Sequence, residues 1–298
     1  MLVVRNPKAG SFKSQNTFLE AAGVIFKSDY NVYVYSTQCP GDATRIVAEE
    51  GEKYDRVVAF GGDGTLHEVI NGLMRLKSPP VLGYIPAGMT NDFAVGVGLP
   101  RNIIRAAETV VDGHADPIDI GCFNNEKYFS YVASFGSFSK ASYSAPQDAK
   151  NLLGYAAYIL EGLKSLSEIK PYHAVVRVEN AEYEDDFIFG AVSNALSVGG
   201  LLKLNSNEVD LQDGLFEVIM IKEPKSLSQL QKLLYDLAVH RYDSEQILYL
   251  QSSDITVECD ALPAWTVDGE LGGAQKITHL VNCSRALNIL RPTEADHA

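Results

Sequence analysis

Residues 56–76, RVVAFGGDGTLHEVINGLMRL, read as a strand, a turn and a helix with a carboxylate at the bend. Val57, Val58, Ala59 and Phe60 form a short apolar run with β-branched members, the mark of a parallel strand buried on both faces. Gly61, Gly62, Asp63 and Gly64 follow, three glycines free to take positive φ and to bring backbone N–H groups close to a ligand. Thr65 stands three residues before Glu68, the spacing of a capping box, and Leu66, Val69, Ile70, Leu73 and Met74 recur on one helical face. A helix is therefore predicted from Thr65. Its N-terminus, with unpaired N–H donors and a positive dipole end, favours a phosphate. A carboxylate beside a phosphate cradle repels the ligand unless a cation lies between them, so Asp63 reads as a contact to magnesium or a magnesium nucleotide. The alternative is a tight strand-to-helix turn in which Asp63 merely caps. Neither common phosphate loop fits: counted from Gly62, G-x-G-x-x-G would end on His67, and G-K-[ST] is absent from the chain.

Working outward, residues 2–4 form a strand that runs into the turn Arg5-Asn6-Pro7-Lys8-Ala9-Gly10. A helix over 14–22, a strand over 31–36 and a helix over 42–50 capped by Asp42 follow. Beyond the central stretch come a strand at 81–85, a loop from Pro86, a short helical turn opened by Asn91 and Asp92, and a helix over 101–111. This alternation predicts βα units in a parallel, doubly wound sheet. From His114 the pattern changes. Residues 117–123 and 127–132 read as strands around Asn124-Asn125, and further strands are expected at 172–179, 187–193, 215–221, 247–250, 255–258, 277–281 and 286–290. Helices over 147–166 and 227–239 interrupt them. The fold class is thus an α/β N-terminal domain, residues 1–118 plus 286–298, and a C-terminal β-sandwich domain, residues 119–285.

The 298 residues, 46% apolar and 21% charged, suit two globular cores. No run approaches the roughly 18 to 20 apolar residues of a membrane helix and no leader is visible, so a cytoplasmic protein is expected. Four dispersed cysteines form no disulfide framework and read as reduced thiols. A net charge of −13 argues against nucleic acid as a partner. Histidines do not group as metal ligands, and no hydrolase elbow occurs.

The Gly61–Thr65 turn, followed by Ile85-Pro86-Ala87-Gly88-Met89-Thr90-Asn91-Asp92-Phe93-Ala94, resembles the bacterial diacylglycerol kinase and related lipid kinase family. The turn is shared with NAD kinases and phosphofructokinases; the second block resembles the lipid kinases alone. The resemblance covers nearly the whole chain. It implies ATP and Mg2+ as cofactors, a lipid substrate met at the inner membrane surface, and phosphorylation of diacylglycerol to phosphatidate. Other acceptors (a sphingoid base, phosphatidylglycerol or NAD) and a non-catalytic nucleotide sensor are the alternatives; a homodimer is left open.

By position in the family pattern, Asn6, Gly10, Thr37, Gly61, Gly62, Gly64, Thr65 and Asn91 would bind the nucleotide. Asp63 would act through magnesium on its phosphates, and Asp92 would cap a helix or support the metal. Asp119, in the family's Asp-x-Gly at the crossing between domains, would approach the nucleotide magnesium; a strand carboxylate facing solvent is the other reading. Asp210 and Asp213, three apart and with the carbonyl of Leu215, suit a hard cation that keeps several waters, and the family holds a structural magnesium there; a solvated acidic turn is the alternative. The turn Asp268-Gly269-Glu270 matches the family turn whose glutamate is the catalytic base, which assigns Glu270 that role. The family carries Thr where this chain has Met89 and Arg where it has Val95. The helix over 147–166, apolar round more than one face, would cover a sheet or line an acyl cleft, and Lys8, Lys13, Lys140 and Lys150 are candidate rim cations.

Overall fold

The computed structural model describes residues 1–8, 14–136, 170–194, 197–198, 202–203 and 210–293. Its first part alternates β1 (Leu2–Arg5), α1 (Ser14–Ile25), β2 (Tyr33–Ser36), α2 (Asp42–Glu50), β3 (Arg56–Gly61), α3 (Asp63–Leu73), β4 (Val81–Pro86), α4 (Asp92–Gly96) and α5 (Ile103–Asp112). The four strands lie parallel in the order β2-β1-β3-β4. Both faces of the sheet are covered, which is why β3 is a continuous apolar run. Val57 and Ala59 pack with Ala43 and Val47 of α2 and with Leu66, Val69, Ile70 and Leu73 of α3. Val58 and Phe60 face α1 and α5 through Ala21, Ile25, Ala106, Ala107 and Val110. The chain runs from β1 out to β2, then crosses back to β3 and β4. Strand order therefore reverses between β1 and β3, and the crevice at their C-terminal ends is where open α/β sheets take ligands.

The second part holds β5 (His114–Phe123), β6 (Lys127–Phe129), β7 (Val132–Gly136), β8 (Tyr172–Val178), β9 (Ala181–Ser193), β10 (Ser197–Val198), β11 (Leu202–Lys203), β12 (Phe216–Lys222), α6 (Leu227–Ala238), β13 (Ile247–Ser252), β14 (Asp254–Cys259), β15 (Ala264–Val267), β16 (Glu270–Ala274) and β17 (Ile277–Arg291). Antiparallel pairing runs β16-β15-β7-β9-β8-β14-β17, with β12 between β9 and β13. These strands enclose an aromatic core of Phe129, Phe135, Phe187, Phe216 and Trp265. Leu233 and Leu237 of α6 cover the outer face against Ile188, Ile219 and Ile221. The α/β part and the β-sandwich part are the two predicted by the change of pattern at His114.

No linker separates them. β5 and β17 pair antiparallel from His114–Arg291 at one end to Phe123–Leu280 at the other. Ile118, Ile120, Leu287 and Ile289 belong to the α/β core, while Phe123 and Leu280 belong to the sandwich core. The boundaries expected near residues 118 and 286 thus fall inside continuous strands. The two strands expected at 277–281 and 286–290 are one, interrupted by a bulge where Arg285 takes a φ of 51°. Conversely, the single strand expected over 127–132 is two, because the N–H groups of Ser130, Tyr131 and Val132 turn to the Asp268 carboxylate. Asn124 and Asn125, both at positive φ, make the tight turn between β5 and β6. The helix expected over 147–166, Gly10, Lys13, Lys140 and Lys150 lie outside the described residues. Among the described residues no helix is long and apolar enough to cross a membrane.

One helix joins the two parts by side-chain contact. Asn71 of α3, 8% exposed, donates its amide to the Tyr128 carbonyl at 2.9 Å and accepts from the Tyr128 N–H at 2.9 Å, continuing β6 as a strand neighbour would. Asn71→Ala leaves both main-chain groups of Tyr128 without this partner and is expected to lower unfolding free energy by about 2–4 kcal/mol, measured by urea denaturation.

Candidate active site

The bend after β3 forms differently from its sequence reading. α3 begins at Asp63, two residues before Thr65, with Gly62 as its N-cap in extended conformation. Gly61, Gly62 and Gly64 do not have positive φ. Their value is the missing Cβ. One at Gly61 would lie 2.4 Å from Thr65 Oγ1, one at Gly62 would lie 3.2 Å from the Gly88 Cα, and one at Gly64 would lie 3.2 Å from Glu270 Oε1. The glycine corner is therefore a place where three segments close on one another, and the first N–H groups of α3 precede its first intrahelical bond, Thr65 N–H to the Gly62 carbonyl.

Thr65 and Glu68 do not make a capping box. Glu68 reaches across to α2, accepting from the Gly41 N–H at 2.8 Å and the Ala43 N–H at 3.1 Å. It supplies the cap that Asp42 was expected to give. Asp42 is the first residue of α2, and its carboxylate accepts from the Gln38 N–H and Arg45 instead; both partners hold it below the usual carboxylate range.

Between the two domains lies a cleft of about 720 Å³, within the range of sites for cofactor-sized ligands. Asn6 and Thr37, at the ends of β1 and β2, line one wall with Gly62, Gly64 and Thr65. Lys127, Glu270 and Leu271 line the other. Glu270 follows a two-residue turn, Asp268-Gly269, with φ of 47° and 88°. The turn is anchored by Asp268, whose Oδ2 accepts from the Ser130 N–H (2.8 Å) and whose Oδ1 accepts from Tyr131 (2.9 Å) and Val132 (3.0 Å). Glu270 thus stands across the cleft from the first turn of α3.

Asp63 faces the second loop. Its Oδ2 accepts from Thr90 Oγ1 at 3.0 Å and the Asp92 N–H at 3.2 Å, and its Oδ1 from the Tyr84 hydroxyl at 3.5 Å. Partial burial and the facing Asp63 charge push the Asp92 carboxyl above its usual value, while Arg101 pulls it down. Burial and Asp63 together push the Tyr84 phenol well up. Two carboxylates set close to each other suit a hard cation, so these residues fit a magnesium ion. Met89 is 90% exposed and Val95 is 52% exposed, so neither departure from the family pattern removes a buried contact. Thr90 supplies a hydroxyl to Asp63, and Arg101 supplies a cation beside Asp92.

Asn91, 8% exposed and at φ 52°, braces the loop: its Oδ1 accepts from the Gly88 N–H at 2.9 Å and its Nδ2 donates to the Gly88 carbonyl at 3.0 Å. Asp119, 1% exposed, does not face solvent. Its oxygens accept from the Gly214 and Arg285 N–H groups, both at 2.7 Å, tying the 210–215 loop to the β17 bulge. In that loop Asp210 and Asp213 are exposed and each closes its own turn, onto the Gln212 and Leu215 N–H groups, while Asn282 Nδ2 donates to the Leu215 carbonyl. Among the described residues no three His, Cys, Asp or Glu side chains are arranged to hold a metal ion by themselves; two carboxylates and a carbonyl would hold a cation only with several waters, which is the habit of magnesium.

His67, Glu68 and Lys127 line the cleft and Asp268 braces its turn, although none of the four was assigned to it. For Glu68, the helical spacing that suggested a local cap concealed a partner on another helix; for Lys127, which donates to the Leu271 carbonyl at 2.9 Å, a lone lysine after a turn gives no signal. A Cβ on Gly88 would come within 2.6 Å of the Gly62 Cα and 2.7 Å of Asn91 Oδ1. Gly88→Ala is therefore expected to cost about 1–3 kcal/mol by overpacking, read by chemical denaturation, and to force the two loops apart.

Two family models match the chain: the diacylglycerol kinase catalytic domain over residues 1–123, and the YegS C-terminal NAD kinase beta sandwich-like domain over 132–291. The diacylglycerol kinase of Bacillus subtilis (strain 168) is 31% identical over 294 residues, covering 98% of this chain and 96% of that protein. That of Staphylococcus aureus (strain MRSA252) is 29% identical over 295 residues, covering 98% and 92%. A crystal structure of a diacylglycerol kinase from Bacillus anthracis (strain Sterne) superposes with a TM-score of 0.76 at 23% identity, covering 98% and 96% of the two chains, and shares the fold. The chain is a kinase and belongs to the diacylglycerol kinase family of lipid kinases.

Proposed function

We propose that this kinase transfers the terminal phosphoryl group of magnesium-ATP to the hydroxyl of diacylglycerol, giving phosphatidate. The observation that carries the reading is the approach of the Glu270 carboxylate to the first turn of α3, which sets a proton acceptor opposite a phosphate cradle. When bound, the magnesium nucleotide supplies the phosphoryl group and neutralises charge as it moves. The chain's own residues position the rest. Gly62, Gly64 and Thr65 offer a close backbone approach, Asn6 and Thr37 border the cleft at the strand reversal, and Asp63 with Asp92 forms the anionic pair that would hold the metal. Glu270 accepts the hydroxyl proton late, because a carboxylate is too weak a base to ionise an alcohol beforehand. A lipid acceptor is favoured over NAD by the cleft's rim, where Leu271, next to Glu270, is 76% exposed and Met89 is 90% exposed. The magnesium loop at Asp210 and Asp213, and docking of the rim on the inner membrane surface, belong to the same proposal.

Labelled ATP, magnesium and a panel of diacylglycerol, sphingoid base, phosphatidylglycerol and NAD, separated by thin-layer chromatography, tests it. Labelled phosphatidate is the expected product. Label in NAD alone would replace the reading with NAD phosphorylation, and ATP binding without any product would replace it with a nucleotide sensor. Glu270→Gln should keep ATP binding and lose about 10²–10⁴-fold in turnover. Asp63→Asn should lose about 10²–10³-fold, as when one preorganised electrostatic group is removed.

A further inference from the structure

α3 meets the second domain along a single stripe. Gly64 faces the Glu270 carboxylate, His67 faces Asp268, and Asn71 holds the Tyr128 backbone, the i, i+3, i+7 spacing of one helical face. Of these, His67 has no part in the reading above. Its side chain is 12% exposed and lines the cleft, and its Nδ1 lies 3.4 Å from Asp268 Oδ2. Asp268 in turn fixes the turn that carries Glu270 through three main-chain N–H groups. We propose that His67 is a positioning residue, a tether from the phosphate-cradling helix to the Asp268-Gly269-Glu270 turn that sets where Glu270 stands.

The chemistry of the pair suits a tether. The Nδ1–H donates to a carboxylate whose remaining partners are all main-chain or hydroxyl donors on the sandwich side, so this bond is what Asp268 extends to the other domain. Nε2 lies 3.4 Å from Asn71 Nδ2, whose amide already donates to the carbonyls of His67 and Tyr128. That contact therefore does not require Nε2 to stay an acceptor. The charged groups around the ring are Asp268 and Glu270 from the turn, Glu68 from α3 itself, and Lys127 on β6 across the same cleft. Burial works to lower the imidazole value, yet the Asp268 hydrogen bond and charge, backed by Glu270 and Glu68, raise it above the ordinary 6.5. The charge-assisted form of the tether is thus fully present below about pH 6.5 and is lost as pH rises through the folded-state value.

The role of Glu270 in catalysis rests on the proposed reaction; the tether itself does not, and the test separates them. His67→Phe keeps the ring and removes the donor, whereas His67→Asn places an amide N–H near the Nδ1 position and never carries charge. With the full-length protein and vesicle-presented diacylglycerol, His67→Phe should lower kcat about ten-fold or more, since small misplacements of a reacting group are costly, with KM for magnesium-ATP within about two-fold; His67→Asn should restore most of that loss. Thermal melting reads the tether without any substrate: the Tm gap between parent and His67→Asn should be wider at about pH 6 than at about pH 9. A parent with no lipid kinase activity would overturn the proposed reaction and leave melting to decide the tether. Parental kcat in His67→Phe, equal damage in both variants, or a Tm gap independent of pH would overturn it.

Discussion

The meeting of α3 with the sandwich domain is the contact on which the rest depends. A buried asparagine that satisfies both main-chain groups of Tyr128 leaves little freedom in how the helix lies against β6, because an unmatched amide or carbonyl in that position would cost more than the bonds return. With Asn71 docked, the first turn of the same helix is brought to Glu270 two turns away. One rigid element therefore carries both the glycine corner that lines the cleft and the surface that registers it against the opposite wall, and side chains on rigid elements hold geometry better than those on loops.

Around this helix, carboxylates act mostly as receivers of main-chain N–H groups. Asp268 gathers three, Glu68 two, Asp119 two, and Asp63 one with two hydroxyls. Each joins segments distant in the chain: Asp119 links the 210–215 loop to β17, and Glu68 joins α3 to α2. An acidic chain, with a net charge of −13, thus spends part of its excess on internal clamps. Asp63 differs from the other three in one respect: a second carboxylate, Asp92, faces it, and that opposition is what the proposed magnesium contact would relieve.

The architecture was legible where burial dictates pattern. β3, with apolar residues on both faces, and α3, with Leu66, Val69, Ile70 and Leu73 on one stripe, announce a two-sided sheet, and the change at His114 announces the sandwich. What was not legible depends on partners far apart in sequence. The spacing of Thr65 and Glu68 matches a local cap, but the acid found better donors on α2. The glycines at the bend suggested unusual dihedrals, whereas the constraint is close contact: Gly61 with Thr65, and Gly62 and Gly64 with Gly88 and Glu270, which no local reading contains. The strands expected at 277–281 and 286–290 were read apart, although a bulge at Arg285 lets one ladder continue through both. Asp119 looked like a strand acid facing either water or metal; its two main-chain partners lie more than ninety positions away along the chain.

The β5 and β17 ladder carries the chain through both cores without a flexible joint. Opening the cleft by swinging one core away from the other would have to bend a hydrogen-bonded ribbon, and the bulge at Arg285, where pairing shifts register and Asp119 grips the backbone, is the place of least resistance. A continuous ladder of this kind opposes hinge bending everywhere except along that one line, and so favours a fixed spacing of the cleft walls.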